Sequence, residues 1–139
     1  MNATEDAQPV VLVVDVANVM GSRPDGWWRD RAGAAARLLA ELEVLHGAEV
    51  AGPTGAGTVR IVVVHAVVEG AAQQVQSPGS VVVLGAERDG DSEIVAEVTR
   101  LTTGGTTPLV VTADRGLRAR LPRTALVAGT GWLNRLLGR

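Results

Sequence analysis

Three carboxylates stand in this 139-residue sequence where chemistry is easiest to build. Asp15 closes the aliphatic run VVLVVD, and Asn18 follows it three residues on. Asp91 lies in Arg88-Asp89-Gly90-Asp91-Ser92-Glu93, ahead of a helical pattern. Asp114 lies in Val111-Thr112-Ala113-Asp114-Arg115, behind another aliphatic run. Bringing three carboxylates together is costly unless a cation offsets their repulsion. Oxygen-only donors suit a hard divalent ion, Mg²⁺ or Mn²⁺. Such an ion can activate water and steady the leaving oxygen of a phosphodiester. The candidate metal ligands are therefore Asp15, Asp91 and Asp114. Asp89 competes with Asp91 across Gly90, and Glu93 is a further donor. Asn18 completes the candidate catalytic set, by orienting Asp15 or a water.

Each residue also has a plainer role. Asp91, Ser92 and Glu93 suit a helix start. Asp114 with Arg115 suits a surface turn, and Asn18 could simply shape one. Asp15 is hardest to explain away, because an acid ending a Val-rich strand is expensive to bury without a partner. The candidate substrate contacts are Arg23, Arg88, Thr112, Arg115 and Arg118. They belong to an arginine rim, with Arg29, Arg31 and Arg120, that would draw phosphates toward an acidic site. Trp27 and Trp28 read as core and rim packing, with a stacking platform for a base as the alternative. His65 falls inside a strand and reads as a core or edge residue.

Composition narrows the chemistry. The formal charge of −2 excludes a strongly basic nucleic-acid binder. Every basic side chain other than His is Arg; a GC-rich codon bias explains that most simply. The lack of Lys excludes a Walker-type phosphate loop and Schiff-base chemistry. The lack of Cys excludes disulfides, thiol catalysis and thiolate metal sites, and suits a reducing cytoplasm. No G-x-G-x-x-G follows the first strand and no G-x-S-x-G elbow occurs. An aspartyl-phosphate enzyme would want an acid two residues after Asp15, where Ala17 stands. The start MNATEDAQP has no features of a signal peptide, and no apolar run is long enough to span a membrane. Residues 1–9 are expected to be disordered, 10–139 to form one domain in the cytoplasm.

The elements that must position the acids follow from periodicity. Strands are expected at Val10–Val16, Thr58–Val68, Ser80–Leu84, Pro108–Thr112 and Thr124–Val127. Helices are expected at Trp27–His46, Ser92–Thr103, Arg115–Leu121 and Gly131–Leu137, the first with Leu38, Leu42 and Leu45 on one stripe and Gly47 as its C-cap. Gly21–Gly26 and Gly52–Gly57 are loops, and Glu69–Gly79 a loop or short helix. Alternating strands and helices predict an α/β three-layer α/β/α sandwich on a five-stranded parallel sheet. Its strand ends share one edge, where a crevice collects ligands.

Asp15-Val16-Ala17-Asn18-Val19, Asp91 at a helix start, and Thr112-Ala113-Asp114-Arg115-Gly116-Leu117 together resemble the NYN domains of the PIN-like nuclease superfamily, closest to its bacterial RNA-binding PIN-like branch. The resemblance runs from about Val10 to Leu137. It implies strand order 3-2-1-4-5 and a Mg²⁺- or Mn²⁺-dependent ribonuclease. It also implies Asp15, Asp91 and Asp114 as metal-binding acids, with Asn18 as the family's amide. The sequence departs from the family twice. The expected acid at the end of strand two is replaced by His65-Ala66-Val67. No acid aligns securely on the helix after strand one, where Asp30 and Glu41 compete.

The expected activity is hydrolysis of RNA phosphodiesters, the RNA being single-stranded or structured, with no membrane partner and with room for a homodimer. Two alternatives share the fold: a non-catalytic module on RNA or a ribosomal partner, and a Mg²⁺-dependent nucleotide phosphohydrolase.

Overall fold

The computed structural model describes residues 7–70, 75–87 and 89–139. Strand β1, Gln8–Asp15, is central and buried from Val10 to Asp15. Its side chains alternate between two cores. Val10, Leu12 and Val14 enter one; Val11 and Val13 enter the other. Each fully buried aliphatic side chain contributes about 1.5–3 kcal/mol, so this strand anchors both layers.

On the first face lie α1 (Val16–Gly21), α2 (Arg31–Leu42) and α5 (Thr130–Leu136); on the second lie α3 (Gly90–Thr103) and α4 (Arg115–Ala119). The remaining strands are β2 (Glu49–Ala51), β3 (Thr58–Val68), β4 (Val82–Gly85), β5 (Pro108–Val111) and β6 (Leu126–Ala128). The parallel strands run β4-β3-β1-β5-β6, which is the expected order 3-2-1-4-5. The sheet has a sixth strand that sequence patterning does not reveal. β2 pairs antiparallel with the first residues of β3, on the edge that β4 occupies farther along. Three residues are too few to carry a period.

Two other boundaries matter for the site. The chain leaves β1 at Asp15 and turns at once into α1, where a strand reaching Val16 and then a loop were expected. The expected helix Trp27–His46 is broken. Trp27–Arg29 and Glu43–Leu45 are 3₁₀ turns, and Asp30 caps α2 by accepting from Gly33 N at 2.9 Å. Gly47, at φ +77°, lies beyond the helix, whose C-cap is Glu43. The leucine stripe packs as expected, with Leu38, Leu42 and Leu45 all buried. Among the described residues no helix is long and apolar enough to cross a membrane. The expected disordered start lies mostly outside the described residues, although β1 already begins at Gln8.

Candidate functional site

Four adjacent parallel strands each deliver one carboxylate to the same edge of the sheet. Asp15 ends β1, and Glu69 directly follows β3. Asp91 lies in the first turn of α3, which follows β4, and Asp114 caps α4, which follows β5. These four side chains, with Ala17 and Asn18, line a cleft of about 220 Å³. Ends of parallel strands are where open α/β sheets hold ligands, because loops diverge there to opposite faces.

Asp15 is the most enclosed of the four, with 7% of its surface exposed. Its Oδ1 accepts from the Asn18 backbone N–H at 3.3 Å, capping α1. Its Oδ2 accepts from Thr112 Oγ1 at 3.0 Å. Burial raises the Asp15 pKa above the usual carboxylate value, and Asp91 and Glu69 push it the same way; the bonds from Thr112 and Asn18 offset part of this. The Asp91 pKa is raised too, first by burial, then by Asp114 and Asp89, with Glu69 adding and Arg120 opposing.

A polar relay fixes the loop after β5. Thr112, fully buried, accepts the Asp114 N–H at its hydroxyl (3.1 Å) while donating to Asp15. The Asn18 side-chain oxygen accepts the Ala113 N–H at 2.7 Å. Asn18 thus ties α1 to the β5 loop with its amide and steadies Asp15 only through its backbone. Arg118 donates to the Thr112 carbonyl through Nε and Nη2, at 3.2 and 2.8 Å. Its guanidinium braces this loop from behind.

The remaining candidates disperse. Asp89 is the N-cap of α3, accepting from Ser92 N at 2.7 Å; Asp91, beside it, faces the cleft. Glu93 is not among the cleft residues, since two residues of helix rotate it away from Asp91. Arg23 lines a different depression, with Asp25 and Arg37. Arg115 is exposed at the first position of α4. Arg88 lies outside the described residues. Among the described residues, Arg120 lowers the Asp91 pKa and reaches Ser92 Oγ at 3.5 Å. Asp30 and Glu41, the two contenders for a helix acid, are elsewhere: Asp30 caps α2, and Glu41 pairs with Arg139.

Sequence reading missed Glu69. Its signal was present, as the first polar residue after the eleven-residue strand Thr58–Val68. Its Oε2 accepts from the Gly90 N–H at 2.5 Å, which couples the end of β3 to the start of α3. It places a carboxylate one residue past the end of β3, where the segment His65-Ala66-Val67 has none. His65 itself faces α3, its Nδ1 at 2.8 Å from the buried Glu97.

The donor set, carboxylates with one amide, fits a hard divalent cation in chemistry and in charge. The oxygens are not gathered into a coordination shell. Among the described residues no group of three or more His, Asp or Glu stands close enough to close on one ion. The reason is visible in the bonds: Asp15, Glu69 and Asp114 each hold a backbone N–H at a helix start.

No protein-family model and no curated protein matches the sequence. Among solved structures the chain is similar to a mutant of Rae1 (YacP) from Bacillus subtilis. The TM-score is 0.64 at 20% identity, over 93% of this chain and 75% of that one. At this identity the likeness is one of fold, and the α/β sandwich built here is shared with that protein.

Proposed function

We propose that the chain is a ribonuclease of the PIN-like type, of the NYN branch, that hydrolyses RNA phosphodiesters with Mg²⁺ or Mn²⁺. One observation carries this reading: four neighbouring strands place Asp15, Glu69, Asp91 and Asp114 around one cleft. The fold likeness to Rae1 supports it. Asp15, Asp91 and Asp114, with Glu69, would hold the ion. When bound, it supplies positive charge at the phosphate and lowers the pKa of water.

The chain's own groups do the positioning. Thr112 and the Asn18 backbone N–H fix the Asp15 carboxylate against rotation. Asn18 and Arg118 hold the β5 loop, and so Asp114, at a set distance from β1. Arg120 offsets negative charge at the rim, where an RNA phosphate must approach against the acids.

Labelled single-stranded RNA incubated with the purified chain tests the proposal. Cleavage is expected with Mn²⁺, none with chelator, and none from Asp15→Asn. A wild-type chain that leaves RNA intact at every metal concentration would overturn it. The spread of the oxygens favours a second reading, a module that binds RNA without cutting. Retention of RNA without cleavage in the same assay identifies that case.

A further inference from the structure

A second cavity, of about 500 Å³, opens between α4, α5, the end of β6 and the turn that joins β2 to β3. The Trp132 indole Nε1–H, on α5, donates to the Ala51 carbonyl at 3.0 Å and holds that turn against the helix. Arg118 and Arg135 bring the cavity its charge, and among the described residues no carboxylate lines it.

Arg118 reaches the cavity from α4. Its Nε and Nη2 donate to the Thr112 carbonyl, which fixes the plane of the guanidinium and uses only part of its donor fork. Nη2 lies 3.8 Å from where a β-carbon on Gly129 would stand. Arg135 follows Gly131 by one helical turn, so its side chain leans back toward the helix start. Its Nη1 lies 3.3 Å from where a β-carbon on Gly131 would stand. Both guanidiniums therefore lie over the same short stretch of backbone. Among the described residues neither is paired with a carboxylate. Like charges gathered in this way call for an anion.

We propose that Arg118 and Arg135 bind a backbone phosphate of the RNA, at a distance along the strand from the phosphate held at the acids. The inference rests on the ribonuclease reading for its ligand, but its test needs no cleavage. The two sites share one support. The Thr112 carbonyl holds Arg118 while the Thr112 hydroxyl holds Asp15, so one buried residue sets the spacing between the cations and the acids. Guanidinium forks match phosphate oxygens in geometry and keep their charge at any working pH. Both side chains are exposed, which suits a contact that positions the strand and reads no sequence. The acid cleft repels phosphates, and a pair of cations nearby gives the strand a hold before a metal binds. The neighbourhood of a cleft read as a phosphodiester site favours RNA over an acidic peptide as the anion.

The test measures binding of labelled octauridylate and octaadenylate to the whole chain in chelator, between about 50 and 200 mM salt. The Trp132 indole N–H resonance, identified by its loss in Trp132→Phe, reports on the cavity. RNA is expected to shift that resonance. Arg135→Gln should weaken both oligomers by the same factor and lower the salt slope by about 0.7, the share of one phosphate contact on a single strand. Arg123→Gln removes the same charge from an exposed position outside the cavity and should keep the wild-type slope. An unchanged slope in Arg135→Gln, an equal fall in Arg123→Gln, or a Trp132 resonance that RNA leaves in place overturns the site. Hexaglutamate that shifts the resonance as strongly as RNA overturns it in favour of an acidic protein partner. The expected binding signature in a chain that does not cleave with Mn²⁺ keeps the site and removes the ribonuclease reading. Cleavage by wild type with an unchanged slope in Arg135→Gln does the reverse.

Discussion

Thr112 Oγ1 donates to Asp15 Oδ2 at 3.0 Å, joining β1 to the loop after β5 across 97 residues of sequence. The same hydroxyl accepts the Asp114 N–H, so one buried side chain sets the position of two of the four acids. Thr112→Val keeps the shape and removes the hydroxyl. It leaves a buried carboxylate oxygen and a backbone N–H without their partner, at a cost of about 1–3 kcal/mol. A lower guanidinium midpoint at unchanged slope is the expected result. The bond lowers the Asp15 pKa, so its loss should raise that pKa further and move the acid limb of RNA cleavage to higher pH. Thr112→Ser should restore the pH profile. A profile that does not move in Thr112→Val would show that the hydroxyl plays no part in holding Asp15 ionised.

Asp15 also sets up a conflict between stability and function. Its folded pKa lies above the ordinary value of 3.8, and the native state therefore holds its proton more tightly than the unfolded chain does. Stability contributed by the protonated form is lost as pH rises from 3.8 through the raised folded value. At neutral pH the ionised group is a burden on the apo fold. Asp15→Asn should raise the melting temperature of the metal-free protein at neutral pH and flatten its dependence on pH through that window, while abolishing cleavage. The Asn oxygen can still accept from Asn18 N. Asp91, whose pKa is raised for related reasons, should behave likewise and more weakly, being less buried. Mn²⁺ should raise the wild-type melting temperature by mass action and leave both variants unmoved. A destabilised Asp15→Asn would mean that the Thr112 and Asn18 bonds outweigh the burial of its charge.

The legible parts of this molecule are those where one residue type has one physical outcome. A run of six buried residues ending in an acid can hardly be anything but a central strand, and Val10–Asp15 is one. Asp91 and Asp114 were legible because acids gather at helix starts whether or not they also face a cleft. The helix Val16–Gly21 was hidden, since Val16 and Val19 extend the aliphatic run and are β-branched. What turns the chain is Asp15 itself, acting as N-cap to Asn18. Asp30 hides in the same way within an otherwise helical pattern. The place of Glu69 depends on the register of β3 against β1, which no local window contains. Arg120 was visible as a charge, but its approach to Ser92 on another helix was not.

Glu69 tests whether the cleft needs its fourth acid. Glu69→Gln keeps an oxygen for the Gly90 N–H and removes one negative charge from the rim. Losing that charge lowers the repulsion felt by Asp15 and Asp91, so both pKa values should fall toward the ordinary range. Affinity for Mn²⁺ should drop by about 10–100-fold, the range associated with loss of a supporting group. Binding of RNA in chelator should tighten, since its phosphates meet less negative charge. Calorimetric titration of Mn²⁺ and filter binding of RNA measure the two. Unchanged Mn²⁺ affinity would leave Asp15, Asp91 and Asp114 as the whole set.

Glu97 separates folding from chemistry. It is buried on α3 and joins His65 on β3 at 2.8 Å, while Arg100 closes on it from the next turn. Burial alone would raise its pKa, but the bonds from Arg100 and His65 outweigh that and hold it below 4.5. With a lowered folded pKa, its stabilising effect is present above the unfolded value and is lost as pH falls through the folded one. Glu97→Ala should cost about 1–3 kcal/mol at neutral pH, the range for leaving a buried hydrogen-bonding group without its partner. In acid, below the folded pKa, wild type and variant should converge in urea midpoint. Since His65 faces this helix and the cleft residues do not include it, RNA cleavage per folded molecule should stay at the wild-type rate. A loss of cleavage with the fold retained would move His65 from the scaffold into the chemistry.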